Sequence, residues 1–398
     1  MMNNNNNHTT ELPKDWKWVK LGEACNIIMG QSPPSTSYNT YGLGLPFFQG
    51  KAEFTDLYPI VEKWCNAPNK IAEPNDILLS VRAPVGTTNI ANQKCCIGRG
   101  LAAIRFDNYK YAFYFLRSAK QELESKGTGT TFTAISGETI RGTLFPLPPK
   151  STQQAIVSKI EELFSELDKG IENLRTAQQQ LKTYRQSVLK WAFVNDTFKN
   201  YFVKDVTEKI QIGPFGTQLH KEDYVENGIP LINPIHIKDG FIVADYSFSI
   251  QNSKRDSLPN YILKEGDVIM GRRGEMARCG LVTKKESGWF CGTGSLYFRP
   301  DIKKVNPVFL YYYLRSEPVK KYLDENAGGT TMANLNLKIV NEIPISLPSV
   351  EEQQQIVQAI ESRLSVADKM EESITQSLQQ AEALRQSILK KAFEGRLV

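Results

Sequence analysis

The stretches RQSVLKWAF at 185–193 and RQSILKKAF at 385–393 are near-copies, 200 residues apart in a chain of 398. Extending the alignment at that spacing over 151–193 and 351–393, without gaps, gives 19 identities in 43 positions. They include Ile156/Ile356 and Val157/Val357, but also Gln153/Gln353, Gln154/Gln354, Asp168/Asp368 and Lys169/Lys369. Two unrelated amphipathic helices would share apolar positions, not polar side chains expected at the surface. The chain is therefore read as an internal duplication.

Both copies predict a long helix. Ile160, Phe164, Leu167, Ile171, Leu174, Gln178, Leu181, Arg185 and Val188 alternate spacings of four and three, the period of a coiled-coil seam. Ile360, Leu364, Ala367, Glu371, Ile374, Leu378, Ala381, Arg385 and Ile388 repeat the frame. Gln178, Arg185, Glu371 and Arg385 interrupt it. Ser151 with Gln154, and Ser349 with Glu352, have capping-box spacing behind Pro149 and Pro348. Asn195-Asp196 and Gly395 supply stop signals. At 1.5 Å per residue each helix spans about 65 Å.

The duplication extends beyond the helices with a drifting offset. Gly30 matches Gly213, Asp76 matches Asp267, and Gly98/Gly100 match Gly292/Gly294. Leu116-Arg117-Ser118 match Leu314-Arg315-Ser316, and Gly129-Thr130-Thr131 match Gly329-Thr330-Thr331. NDILLSV (75–81) and GDVIMG (266–271) read as strands, while CCIGRGLAAIRF and FCGTGSLYFRP pair a glycine turn with a strand. YAFYFLRSAKQELES and VFLYYYLRSEPVKKYLDE read as one amphipathic helix per half, with aromatics at core spacing. The expected fold class is α+β. Residues 1–10 form a lead-in tract, 11–150 and 195–349 two mixed α/β domains, and 151–194 and 350–398 two long helices.

Composition narrows the function. A hydrophobic fraction of 41% and a charged fraction of 23% suit a soluble globular protein. No apolar run approaches the ~20 residues of a membrane span. MMNNNNNHTT lacks the basic-then-apolar build of a signal peptide, so a cytoplasmic location is expected. Cys25, Cys65, Cys95, Cys96, Cys279 and Cys291 show no CxxC spacing, and His8, His220 and His236 are scattered, so reduced, buried thiols are expected rather than a metal site. No GxxxxGK[ST] loop is present. INPIHI (232–237) brushes against the Asn-Pro-Pro-aromatic motif of amino-group methyltransferases, but Ile235 and His236 stand where its last two residues belong. Asp76 and Asp267 lack the downstream acid-x-lysine partner of a nuclease site. Catalysis by this chain is not expected.

Binding chemistry is richer. GRRGEMARCGLVTKK (271–285) sets Arg272, Arg273, Arg278, Lys284 and Lys285 against one acid, Glu275. Its counterpart, 80–100, carries Arg82, Thr87, Asn89, Lys94 and Arg99. Arginine forks suit phosphates and guanine edges, and Asn or Thr suits other base edges. A second pair of segments, GTGTTFTAIS (127–136) and AGGTTMANLNLK (327–338), forms slim polar fingers carrying Thr128, Thr130, Thr131, Thr330, Thr331, Asn334 and Asn336. A shared frame with unlike tips suits two different DNA half-sites. The net charge of +5 is only a weak pointer to a polyanion.

These marks resemble the specificity (S) subunits of type I restriction-modification systems. The resemblance runs from LPKDWKWVKLGEACNIIMG through the helix leads LPPKSTQQAIVSKI and LPSVEEQQQIVQAI to the ending RQSILKKAFEGRLV. It implies two target recognition domains, each reading half of a bipartite, asymmetric duplex DNA site. It also implies a pseudo-two-fold pair of long antiparallel coiled-coil helices that separates them and docks methylation subunits, two per chain, and restriction/translocase subunits. S-adenosylmethionine, ATP and Mg²⁺ would sit on those partners and none on this chain. Two other classes remain open to experiment: a self-sufficient adenine methyltransferase and a coiled-coil scaffold without DNA binding.

Overall fold

The computed structural model describes residues 12–128, 133–193, 198–216, 218–327 and 334–398. The chain divides into two compact units, Met1–Leu174 with Gln376–Val398, and Arg175–Thr375. Each unit combines a globular part with half of each long helix, Lys150–Phe193 and Val350–Phe393.

In the first unit a four-stranded antiparallel sheet has the order Asn26–Met29, Leu101–Arg105, Ile77–Ser80, Thr88–Ile90. Ile77, Leu79, Ala102 and Ile104 face the main core, whereas Leu78, Leu101 and Ala103 face a second cluster. That alternation buries both faces, which is why the strand reads as an unbroken apolar run. A second sheet sets Leu45–Phe48 parallel to Cys95–Ile97. The second unit repeats this plan with Thr207–Ile212, Ser295–Pro300, Val268–Gly271 and Cys279–Leu281, and with Ile229–Ile232 parallel to Phe290–Cys291.

Each stretch read as one helix forms two: Tyr109–Ser118 and Lys120–Ser125 in the first unit, Pro307–Leu314 and Glu317–Asn326 in the second. Pro318 cannot continue a helix from Leu314 and instead occupies the first turn of the next. Asn108 and Asn306 cap the first helix of each pair through their side-chain oxygens. The aromatics are core: Tyr111, Phe113, Phe115, Phe309 and Tyr313 are buried, and the Tyr111 and Tyr313 hydroxyls donate to the Pro146 and Pro344 carbonyls.

The long helices pack along the expected seam, with Ile160, Phe164, Leu181, Val188, Ile360, Ala367, Ile374, Ala381 and Ile388 buried. Its charged interruptions are reciprocal. Arg385 pairs with Asp168 in the first unit, and Arg185 pairs with Asp368 at 2.6 Å and Glu371 at 2.8 Å in the second. Each unit thus holds its helix segments antiparallel.

Several local readings change. Ser349 and Glu352 form the capping box, their N–H groups donating to each other's side chains at 2.9 and 3.3 Å. Ser151 instead lies inside its helix, because Pro149 stands where the second copy has Ser349. Gln153 and Gln353 are buried, donating to the Pro148 and Pro348 carbonyls at 3.0 Å, so their identity reflects an internal clasp. Gly395 (φ 70°) ends the second helix, with the Arg396 N–H donating to the Lys391 carbonyl. Asn195-Asp196 and the N-terminal tract lie outside the described residues.

The shared ending has a packing role in both units. Phe393 sits against Tyr111 and Phe115 in the first unit, at 5.2 and 5.5 Å between ring centres. Phe193 sits against Phe309 and Tyr313 in the second, at 5.4 and 5.2 Å. Each helix therefore ends by plugging the aromatic core of the globular part it does not follow in sequence.

Candidate nucleic-acid interface

In each unit one edge of the sheets is built from loops stitched together by their backbones. In the first unit the Val81 N–H donates to the Gly100 carbonyl at 2.9 Å. On the other side, the Ile135 N–H donates to the Val81 carbonyl at 3.0 Å and the Ala83 N–H to the Thr133 carbonyl at 2.9 Å. At the base of the finger 127–136, Thr128 and Ala134 exchange paired backbone hydrogen bonds. Gly98 and Gly100 donate to the Phe48 and Gln49 carbonyls, and the Arg99 N–H donates to Ser32 Oγ at 3.2 Å. The Gln49 carboxamide also donates to Ser32 Oγ, at 2.9 Å.

The second unit rebuilds this frame. The Arg272 N–H donates to the Gly294 carbonyl and the Leu335 N–H to the Arg272 carbonyl, both at 3.0 Å. Arg273 bridges Asn334 as Arg82 bridges Ala134. The Gly292 N–H donates to the Ile232 carbonyl at 2.9 Å, and the Gly294 N–H to the Asn233 carboxamide at 3.1 Å. The matched glycines have one purpose: a Cβ on Gly30 would collide with the Gly98 carbonyl, and one on Gly213 with the Gly292 carbonyl.

This edge gathers Arg82, Arg99 and Thr128 in the first unit, all exposed, beside half-buried Thr87. In the second unit it gathers Arg273, half-buried Arg278 and half-buried Asn334. Arg278 donates to Glu275 at 2.8 Å and to the Pro234 carbonyl at 3.3 Å, tying its loop to the 233–236 corner.

Four candidates are placed elsewhere, correcting the reading of each basic segment as one continuous surface. Asn89 is fully buried, its carboxamide clasping the backbone of Thr55 at 2.6 and 3.1 Å. Arg272 turns inward, donating to the Leu335 carbonyl at 3.3 Å and lying over the Phe215 ring, and burial holds its basicity below the usual arginine value. Lys94 pairs with Glu73 at 3.1 Å. It follows Ala91, which pairs with Asp76 at the start of strand Ile77–Ser80, the end opposite Arg82. Lys284 follows Val282, which pairs with Asp267 in the same way. Asn336 is exposed but accepts the Ile339 N–H as a helix cap at 3.0 Å, the place Ser136 holds in the first finger. Thr130, Thr131, Thr330 and Thr331 lie outside the described residues.

Sequence reasoning missed Ser32 and Gln49, and their counterparts Phe215 and Asn233. The glycine matches at 30/213 and 98/292 were the signal that could have found them. Phe215 and Ile235 are exposed in the second unit.

The residues that raised catalytic readings are engaged in structure. Arg105 grips Asp76 through two hydrogen bonds of 2.7 Å, and Arg299 grips Asp267 at 2.8 and 2.7 Å. INPIHI forms a tight corner in which the Asn233 N–H donates to Nδ1 of buried His236 at 3.2 Å. All six cysteines are free and buried, and burial pushes the Cys25 and Cys95 thiols up to about 12. The duplicated LRS arginines hold loops: Arg117 donates to the Asp56 carbonyl and Arg315 to the Asp239 carbonyl. Among the described residues no helix is long and apolar enough to cross a membrane.

The family model for the type I restriction modification DNA specificity domain matches residues 13–175 and again 195–380. The chain is 43% identical over 185 residues to the MjaX type I restriction enzyme specificity subunit of Methanocaldococcus jannaschii, covering 45% of this chain and 43% of that one. It is 23% identical to the EcoBI specificity subunit of Escherichia coli, over 100% of this chain and 89% of that one. Among solved structures it resembles a chain from work on complex assembly and conformational transition of the type I R-M system, with a TM-score of 0.75 at 20% identity, covering 97% and 99% of the two chains. The HsdS subunit of Thermoanaerobacter tengcongensis gives a TM-score of 0.57 at 20% identity over 98% and 99%. A duplicated α+β unit, a repeated loop edge and a family match falling once on each repeat agree: the chain belongs to the type I restriction-modification DNA specificity family and is a specificity subunit with two target recognition domains.

Proposed function

We propose that this chain is the non-catalytic DNA-recognition subunit of a type I restriction-modification complex, working in the cytoplasm. Each unit reads one half of a bipartite, asymmetric duplex site through its loop edge. The long helices dock two methylation subunits, and restriction/translocase subunits in complexes that cleave. S-adenosylmethionine, ATP and Mg²⁺ belong to those partners.

The observation that carries this reading is the double construction of one edge, with the same backbone frame and different side chains. A reader of two unlike half-sites keeps the scaffold and changes the groups that meet base edges. The edges differ in that way: Gln49 faces Asn233 in the alignment of frames, Arg99 faces Thr293, and Ser32 faces Phe215.

The test is a genome-wide map of methylated adenines with the chain present, deleted, or carrying the second unit's edge substitutions N334A and T293A. Methylation at one bipartite motif that requires the chain is expected, with the edge substitutions altering only one half of the motif. Methylation that survives deletion, or S-adenosylmethionine binding by the chain alone, would overturn the reading.

A further inference from the structure

Arg82 and Arg273 occupy one position in the two edges. Each is the second residue after an equivalent strand, Ile77–Ser80 or Val268–Gly271. Each is bridged on one side to its finger, at Ala134 or Asn334. The residue before each is tied to the glycine turn, at Gly100 or Gly294. The loops then close alike, with the Ser80 N–H donating to the Thr87 carbonyl at 2.8 Å and the Gly271 N–H to the Arg278 carbonyl at 2.9 Å. Both pass through a left-handed residue at the same place, Gly86 (φ 82°) and Ala277 (φ 59°).

Across the six aligned residues 81–86 and 272–277, VRAPVG and RRGEMA, the only shared residue is this arginine. Both side chains are exposed, and among the described residues neither forms an ion pair. The adjoining finger tips, GTTF and GGTTMA, contain no acid in their sequence. The alternative of a fold-stabilising arginine does not fit, since the arginines that stabilise these units (Arg105, Arg299, Arg117, Arg315) are all engaged by carboxylates or carbonyls.

We infer that Arg82 and Arg273 are register anchors: each binds a backbone phosphate at the equivalent place in its half-site, and neither reads a base. This rests on the DNA-recognition reading above and adds a division of labour to it. A base reader must change when the base changes, whereas this arginine is the one side chain kept between the two loops 81–86 and 272–277. A phosphate is the same at every nucleotide and can be met by the same side chain in both units. The anchor fixes where along the duplex each edge sits, and the unlike neighbours Arg99/Thr293, Gln49/Asn233 and Ser32/Phe215 then meet the bases.

The experiment uses the chain assembled with its methylation subunit and duplexes carrying the mapped methylated motif, with a scrambled duplex as control. R82A, R273A, R82K and R273K are compared by equilibrium binding across a salt series and by methylation mapping in cells. Each alanine variant is expected to weaken binding about tenfold on both duplexes and to reduce the slope of log affinity against log salt by about 1, with the motif unchanged. The lysine variants should recover most of the affinity, because a phosphate accepts a point charge whereas a bidentate base contact does not. Relaxed methylation at one position of a half-site would overturn the anchor role in favour of base reading. Unchanged affinity and slope would overturn it outright. Failure of the unaltered complex to bind or methylate DNA would instead defeat the underlying DNA-recognition reading, so the two failures are distinct.

Discussion

Phe393 and Phe193 end two copies of the same nine-residue motif, yet they are not equally enclosed. Phe393 is buried between Tyr111 and Phe115, under a chain end in which Gly395 packs on Pro13 and Leu397 joins the same core. Phe193 meets Phe309 and Tyr313 at similar distances but stays half-buried. The motif supplies the plug in both units, and the surroundings decide how much water the plug excludes. F393A should therefore cost about 3–5 kcal/mol of unfolding free energy, the usual range for a buried phenylalanine, and F193A roughly half of that. Urea denaturation of the two variants measures the difference; equal losses would show that the two plugs are energetically alike despite their unequal cover.

The Asp–Arg clasps sharpen the same contrast at a smaller scale. Asp76 and Asp267 are both about 1% exposed, but the Arg105 side chain is 43% exposed and that of Arg299 only 16%. Arg299 also donates to the Ile262 carbonyl at 3.1 Å. Replacing Arg299 by methionine leaves a buried carboxylate that water reaches poorly, for which a loss of about 3 kcal/mol is expected. R105M should lose about 1–2 kcal/mol, because solvent can enter beside Asp76. Thermal midpoints of the two variants order them, and a larger drop for R105M would reverse the argument.

The contrast between frame and edge also explains what could be read from sequence alone. The long helices, their seam, the core strands and the duplicated order all follow from apolar spacing, which is local and periodic. The fate of polar residues is not local. Asn89 looks like a base reader until the Thr55 backbone, 34 residues earlier, is found to take both ends of its carboxamide. Arg272 and Arg273 are adjacent and alike in sequence, yet contacts with Gly294 and Leu335, from distant segments, hold one inward while the other stays exposed. Gln153 and Gln353 looked exposed because glutamine usually is, but each satisfies its amide on a proline carbonyl five residues before it. Ser32 and Gln49 escaped notice because one follows a strand antiparallel to Leu101–Arg105 and the other a strand parallel to Cys95–Ile97, so both meet the turn at Arg99 from distant parts of the chain.

The smallest expected difference between the units is in acid sensitivity. His236 is buried in the corner at 233–236 of the second unit, where Nδ1 accepts the Asn233 N–H and must therefore be unprotonated. Burial pulls its pKa below the ordinary 6.5; a hydrogen bond with the Leu231 backbone and the Asp245 charge oppose this, and Lys238 adds to the lowering. The folded chain thus binds this proton less readily than the unfolded chain. Stability from this residue is fully present above about pH 6.5. It declines as the pH falls below that point, because the unfolded state takes up a proton that the folded corner refuses. The matching corner of the first unit, Gln49-Gly50-Lys51, has no histidine and no such dependence. H236Q keeps an acceptor for the Asn233 N–H but cannot titrate. Between pH 7 and 5.5 its urea midpoint should fall less than that of the unaltered chain, and parallel declines would show that the corner accommodates the charged ring.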